Sequence, residues 1–286
     1  IRRFDPVVAL KTISKFKATH FMGPPTMWMY LIDEYDRNSG QYDVAGLWQG
    51  QSAGAALPGD TCKRIEDTFG IGIVECYGAT ECSSTVTHTR FRHPTPGSAG
   101  WVTPEWEIKV IDDEGNALPN GEIGELCCKG PGVVKEYWND PEMSAARLKD
   151  GWWHSGDMAR IENGSSTEGQ LYIVDRKDDM VVCGGYNIYP LEVENFIIEH
   201  AKVLQAVVVG ISDEVKGQIP KAFIVLDEGQ KSTAEELEAF CRDSMAAYKV
   251  PRIFEFVDLE DLPKTASGKV LKREIRRLEE EKISAQ

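Results

Sequence analysis

The chain has 286 residues, 42% of them hydrophobic, and a formal charge of −14 at pH 7. That length suffices for one large or two ordinary domains with buried cores. The longest apolar runs fall far short of the ~20 residues that a membrane helix needs, and the negative charge argues against a general affinity for nucleic acids or anionic membranes. No leader-like segment opens the chain and its seven cysteines lack C-x-x-C spacing, so we expect a reducing cytoplasm.

The first third of the chain alternates between helical and strand patterns. The predicted elements are a helix over 6–16, a strand over 19–22, a strand entering the turn "SAGAAL" (52–57), a helix over 58–69 and a strand within "GIGIVECYG" (70–78). Such alternation indicates α/β structure, a mainly parallel sheet covered by helices, over 1–95. The pattern begins as if inside an α/β unit, so we expect part of the protein to lie upstream.

The remaining sequence changes character twice. Short strands between glycine-containing turns predict a β-rich subdomain, a barrel or a sandwich, over 96–175. After a link at 176–180, residues 181–286 are predicted to form a small α+β domain. Its predicted elements are a β-hairpin over 171–185, a helix opened by Pro190, strands over 203–211 and 220–227, a helix with a capping box that starts at Ser232 or Thr233, and a charged final helix.

Two small-residue stretches follow predicted strands in the α/β part. "YGATE" (77–81) places a hydroxyl and a carboxylate at the carboxyl end of a strand, where α/β sheets bind ligands. Those oxygens could share Mg²⁺ with phosphates, or could simply cap a strand-to-helix turn. "SAGAAL" offers almost no side-chain bulk, which suits a flat ring against the backbone and equally suits tight packing.

Three polar stretches lie further along the chain. "HSGD" ends in Asp157, a carboxylate on a predicted tight turn that suits ribose hydroxyls or an Asx-turn. "DRKDD" (175–179) places Arg176, a planar donor fork, at the junction of two predicted domains. "PKTASGK" (263–269) ends in Lys269, a flexible cation. Basic residues crowd 264–277, so we hypothesise that this run helps to hold nucleotide phosphates, with a solvated helix face as the alternative.

The order of these stretches carries more information than any one of them. "SAGAAL", "YGATE", "GELCCKGPGVVKEYWND" (124–140), "GWWHSGD" (151–157), "DRKDDMVVCGGYNIYPLEVE" (175–194) and "PKTASGK" follow one another as in a known family. The sequence resembles the AMP-forming acyl-CoA synthetases, whose superfamily includes firefly luciferase and peptide-synthetase adenylation domains. The resemblance implies the C-terminal portion of a large adenylate-forming domain, followed by a small mobile C-terminal domain.

The resemblance also implies a reaction and a set of roles. A carboxylic acid would attack ATP to give an acyl-adenylate and pyrophosphate, and the acyl group would pass to the thiol of coenzyme A. The residues that would bind the nucleotide are Tyr77 on adenine beside Gly54, Ala55, Ala56 and Gly78, Thr80 on phosphate, Glu81 on Mg²⁺, and Asp157 and Arg176 on the ribose.

The remaining implied roles belong to the C-terminal domain. Lys269 would bridge the substrate carboxylate and the α-phosphate, stabilising charge as the displacement develops. Asp178 would be the hinge about which the domain rotates between the two half-reactions. In the second orientation the loop containing Gly184 and Gly185 would line the pantetheine tunnel.

Several points depart from the family pattern or stay open. The family's phosphate loop would precede Ile1, and Ala56 stands where Pro is usual. Gly78, where acetate-activating members carry Trp, suggests room for a medium- or long-chain fatty acid or an aryl acid. An adenylation enzyme that loads a carrier protein, and a nucleotide-binding fragment without activity, are the alternatives. A homodimer is compatible with the resemblance.

Overall fold

A computed structural model describes residues 4–55, 57–91, 95, 97–162, 169–265 and 270–284. The chain divides into two compact units, and the division along the sequence falls between Ile173 and Val174. No helix in these ranges combines the length and the apolar composition that a membrane span requires. All seven cysteines are buried thiols that form no disulfide bonds.

The first unit begins with alternating helices and strands. They are α1 (Pro6–Phe16), β1 (His20–Gly23), α2 (Pro25–Asn38), β2 (Gln49–Ala53), α3 (Gly59–Phe69) and β3 (Gly72–Ala79). Asp5 starts α1 by accepting a hydrogen bond from Val8 N at 2.8 Å, as expected of an N-cap aspartate. The three strands are parallel neighbours, and a core that includes Leu10, Trp28 and Ile65 joins the helices to them. The predicted α/β class is confirmed.

The strands that follow belong to the same sheet. They are β4 (Ser84–His88), β5 (Gly100–Val102), β6 (Glu107–Ile111), β7 (Gly124–Lys129), β8 (Leu148–Lys149), β9 (Trp152–Glu162) and β10 (Gln170–Arg176), with α4 (Pro141–Arg147) inserted before β8. The order across the ten-stranded sheet is β1-β2-β3-β4-β5-β10-β9-β7-β6, with β8 beside β9. The β-rich region predicted here is present, and antiparallel β4 and β5 join it to the parallel sheet. Its description as a barrel or a sandwich stays a prediction.

The second unit is an α+β fold. Its elements are β11 (Val181–Cys183), β12 (Tyr186–Ile188), α5 (Pro190–Ile198), β13 (Val203–Asp213), β14 (Gly217–Leu226), α6 (Ala234–Ser244), β15 (Ile253–Phe256) and α7 (Lys272–Ser284). The sheet runs β12-β11-β14-β13, and β15 lies parallel to β14. Alternate residues of β13 enter two different cores, Val208 one and Val209 the other, since successive strand side chains point to opposite faces.

The hairpin predicted over 171–185 does not form. Its first arm, β10, pairs with β5 in the ten-stranded sheet, whereas its second arm, β11, pairs with β12 and β14 in the five-stranded sheet. Between the arms lies a single 3-10 turn, Lys177–Asp179. Two β patterns joined by a short charged segment look like a hairpin in sequence, but their partners are set by distant strands.

Candidate active site

The turn after β2 presents backbone with little side chain. Gly54 has a left-handed φ of 87° with nothing within 4 Å of an added Cβ, and both Gly54 and Ala55 are exposed. Ala56 lies outside the described residues. Leu57 N, at the end of the turn, donates a hydrogen bond to Glu75 Oε1 at 3.0 Å. A carboxyl group of β3 thus anchors the end of this exposed turn.

Glu75 is a buried carboxyl group that the sequence analysis missed. Only 6% of the residue is exposed, and burial raises its pKa to about 8 despite the bond from Leu57, because a low-dielectric site disfavours the ionised form. Its backbone N–H donates to Thr89 Oγ1 at 2.9 Å. The sequence did contain a signal for this buried carboxyl group, namely an acidic residue within the apolar run "GIVEC".

Tyr77 and Asp157, 80 residues apart in sequence, are brought together. The Tyr77 hydroxyl donates to Asp157 Oδ2 at 2.6 Å. Burial and the negative charge of Asp157 raise the pKa of Tyr77, so its hydroxyl stays a donor. Two residues that the resemblance assigns to adenine and ribose therefore share one location at the carboxyl end of β3.

Asp157 was predicted to lie on a tight turn, and this prediction is wrong. Asp157 is a buried residue within β9. Gly156 has a φ of 71°, and the β7–β9 register shifts between Glu125 and Cys127. This bulge is the physical reason for the glycine-containing "HSGD", since bulges redirect side chains within a strand. Asp157 N donates to Ser155 Oγ at 3.0 Å.

Thr80 and Glu81 lie in the 3-10 turn Thr80–Cys82, between β3 and β4. This turn joins two strands, so the strand-to-helix alternative is wrong. Glu81 Oε1 accepts a hydrogen bond from the Tyr137 hydroxyl at 3.1 Å, and that hydroxyl accepts one from Trp153 Nε1 at 3.2 Å. The carboxylate is oriented through one oxygen, while the Thr80 hydroxyl is exposed.

Those oxygens suit Mg²⁺ bound jointly with a phosphate, because Mg²⁺ takes one or two protein oxygens plus phosphate and water. Within the described ranges, no group of three or more His, Cys, Asp or Glu side chains converges to hold a metal ion alone. The donor set therefore fits a metal that arrives with the nucleotide.

Gly78 has a structural explanation that differs from the predicted one. A Cβ at this position would lie 1.8 Å from Ser84 O and 2.6 Å from Ser84 C. The close approach of β3 and β4 therefore requires glycine here. The absence of a side chain at Gly78 is no indication of space for the acyl group.

A cavity of about 270 Å³ lies along the same strands. Its lining mixes polar and apolar side chains from β2, β3 and β4 and the segment after β4: Gln49, Gln51, Val74, Cys76, Thr85, His88, Thr89 and Phe91. Two of its lining residues, Val74 and Cys76, belong to β3, the strand that also carries Tyr77.

The other predicted site residues lie in the second unit. Arg176 ends β10 and Asp178 lies in the 3-10 turn, both exposed. Gly184 and Gly185, with φ of 57° and 85°, form the exposed turn between β11 and β12. Lys269 lies outside the described residues.

The basic run is largely occupied by protein partners. Lys272 pairs with Glu194 at 2.8 Å, Arg276 with Asp179 at 2.6 Å, and Arg277 with Glu274 at 2.6 Å. Phosphate binding by this run stays a prediction, and it now falls chiefly on the exposed Arg273.

Two known family profiles match this chain. A profile described as "AMP-binding enzyme" matches residues 1–138, and one described as "AMP-binding enzyme C-terminal domain" matches residues 192–269. The chain belongs to the AMP-binding enzyme family.

Relatives of this chain include two ligases of different acids. The chain is 43% identical to a long-chain-fatty-acid–CoA ligase of Bacillus subtilis, over 98% of the chain and 48% of that protein. It is 37% identical to a feruloyl-CoA synthase of Amycolatopsis, over 96% of the chain and 54% of that protein. The crystal structure of the anthranilate CoA ligase AuaEII with anthranoyl-AMP superposes with a TM-score of 0.88 at 32% identity, covering 98% of this chain and 53% of that one. The chain thus spans about half the length of the relatives it matches.

Glu75, Tyr137 and Trp153 are residues around the candidate site that the sequence analysis did not assign. Tyr137 lies inside a motif that was recognised, but its contact with Glu81 spans 56 residues of sequence. No local pattern encodes such a contact.

Proposed function

We propose that the natural protein containing this chain is an AMP-forming acid:CoA ligase. A carboxylate oxygen attacks the α-phosphorus of ATP, pyrophosphate leaves, and the acyl-adenylate then transfers its acyl group to the thiol of coenzyme A with release of AMP. The observation that carries the proposal is the Tyr77–Asp157 hydrogen bond of 2.6 Å. It unites residues from two separate nucleotide motifs, one on β3 and one on β9 of the same sheet.

Each candidate residue then has a chemical task. Tyr77, with its hydroxyl held by Asp157, presents its ring beside the bare Gly54 turn, and Thr80 donates to a phosphate oxygen. Glu81, oriented by Tyr137, would hold Mg²⁺, which neutralises charge on the phosphates when bound. Lys269 stabilises the negative charge that develops at the α-phosphate.

Alternation between the two half-reactions is proposed to use the link between the units. Asp178 would act as the pivot, with residues 176–180 as the hinge. The exposed turn at Gly184 and Gly185 has no side-chain bulk, which suits passage of the thin pantetheine arm of coenzyme A. Rotation would remove the Lys269 loop from the active site after adenylation and bring this turn there for the transfer to coenzyme A.

The acyl group is proposed to occupy the cavity along β2, β3 and β4. Its mixed polar and apolar lining supports either a medium- or long-chain fatty acid or an aryl acid. The names of the two curated relatives cover both classes.

Pyrophosphate release by the natural full-length protein tests the proposal. The assay would use ATP and a panel of fatty acids from acetate to palmitate together with aryl acids, with and without coenzyme A. Lys269→Ala is the test variant, and Lys231→Ala, which removes an exposed lysine, is the matched control.

We expect acid-dependent release that Lys269→Ala reduces at least ~100-fold and Lys231→Ala leaves unchanged, with thioester formed only when coenzyme A is present. Release without any thioester would instead indicate an enzyme that loads another thiol. No release with any acid, despite ATP binding, would refute the catalytic proposal.

A further inference from the structure

Asp175 is a buried carboxylate at the end of β10 that no role described above uses. Only 5% of the residue is exposed. Its Oδ1 accepts a hydrogen bond from Arg176 N, and its Oδ2 accepts one from Leu191 N, both at 2.7 Å. Both oxygens are thus committed to backbone N–H groups.

The bond to Leu191 caps helix α5 from outside the helix. Tyr189 occupies the N-cap position without a side-chain capping bond, and Pro190 follows it at the first helical position. Asp175, 16 residues earlier than Leu191, satisfies a donor that the helix leaves open. A negative charge at a helix N-terminus is also favoured by the helix dipole.

Charged side chains surround this contact. Lys272 of α7 pairs with Glu194 of α5 at 2.8 Å, and Glu194 Oε1 also accepts from Val208 N at 2.6 Å. Burial raises the pKa of Asp175, and the positive charge of Lys272 opposes that effect. The carboxylate therefore belongs to a buried cluster that ties α5, α7 and β13 together.

We propose that Asp175 is a positioning residue for the nucleotide and acts through Arg176. The inference rests on the proposed function, in which the Arg176 guanidinium binds the ribose hydroxyls. Arg176 is the last residue of β10 and directly precedes the Lys177–Asp179 turn. Asp175 clamps the peptide of Arg176 to the N-terminus of α5, so less conformational entropy is lost when the nucleotide binds.

The test variant is Asp175→Asn in the natural full-length protein. Asparagine keeps the volume but offers one oxygen for two N–H donors, so one bond is lost. We expect the KM for ATP and the dissociation constant for AMP, measured by calorimetry, to rise about tenfold, the order of the entropic cost of ordering the backbone of one residue on binding. The kcat at saturating ATP should stay within about twofold, because bound Arg176 would still reach its partner.

A matched control removes a different helix cap in the same unit. Thr233 Oγ1 accepts from Glu236 N at 3.2 Å at the start of α6. Thr233→Ala should lower the melting temperature about as much as Asp175→Asn does while leaving both nucleotide constants unchanged. Should Asp175→Asn not fold, Asp175→Glu keeps the charge, displaces the carboxylate and carries the same expectation.

A double-mutant cycle separates positioning from a structural role. In an Arg176→Ala background, Asp175→Asn should produce no further loss of AMP affinity, because its route to the nucleotide has been removed. Unchanged nucleotide constants in Asp175→Asn, or full additivity with Arg176→Ala, would overturn the inference. AMP binding requires no turnover, so it still tests Asp175 if the ligase activity itself is not found.

Discussion

Replacing Gly78 with alanine tests how closely β3 and β4 approach. The added Cβ would lie 1.8 Å from Ser84 O, and the obstacle is backbone, so no side-chain rotation relieves it. Restoring an ordinary contact requires a shift of about 1.5 Å in a paired strand. Overpacking of this kind costs about 3 kcal/mol, which for a unit of this size lowers the melting temperature by roughly 6–12 °C.

Thermal and urea unfolding, followed by tryptophan fluorescence on the natural full-length protein, measures this effect. Gly40→Ala is the matched control, since nothing lies within 4 Å of its added Cβ. That control should be neutral or stabilising by less than about 1 kcal/mol, because alanine restricts the unfolded chain.

The Gly78→Ala variant should also bind AMP more weakly, because the displaced strand carries Tyr77. A midpoint within about 2 °C of the wild type, well inside the shift that a backbone clash predicts, would refute the reasoning. Gly78 would then be available again as an indicator of space for the acyl group.

Three further predictions concern buried polar groups. Glu75 has a folded-state pKa of about 8 against 4.5 when unperturbed, so the folded protein binds the extra proton between these values and stability falls as pH rises. The free energy of unfolding, measured by urea titration, should be about 3 kcal/mol higher at pH 5.5 than at pH 8 in the wild type. In Glu75→Gln this difference should largely disappear. An equal pH dependence in both proteins would contradict the prediction. Tyr137→Phe removes the bond that orients Glu81, and should raise the Mg²⁺ concentration for half-maximal nucleotide binding about tenfold; an unchanged Mg²⁺ titration would argue against an orienting role. Lys221→Met leaves two partner glutamates of the buried Lys221 without their cation and should destabilise the second unit by about 3–5 kcal/mol. The exposed Arg242→Ala control, which breaks an i,i+4 pair, should cost less than about 0.5 kcal/mol; similar losses in both would show that burial of the Lys221 cluster matters little.

Much of the local structure is determined by the sequence itself. Helix α1 was predicted over 6–16 and is observed over Pro6–Phe16, because Asp5 and Pro6 form a strong start signal. The N-cap predicted at Ser232 or Thr233 is formed by Thr233, whose Oγ1 accepts a hydrogen bond from Glu236 N. These features depend on residues within a few positions of each other, so short-range chemistry specifies them.

The motifs also identified the family, because they are short segments whose order along the chain can be read directly. Tyr77, Thr80 and Glu81 were found in one such segment. Of the residues that form hydrogen bonds with them, only Asp157 was predicted as a site residue. The hydrogen bond between Tyr77 and Asp157 was not predicted.

Only the tertiary structure decided which strands pair and which polar groups meet. A hairpin was expected at 171–185, yet its arms joined different sheets, and the β-rich strands are hydrogen-bonded into the same sheet as the parallel strands. The contacts that shape the site, Tyr77 with Asp157 and Glu81 with Tyr137, span 80 and 56 residues. Strand pairing and burial are non-local, since each strand's edges and faces accept several partners and the packing of the whole unit selects among them.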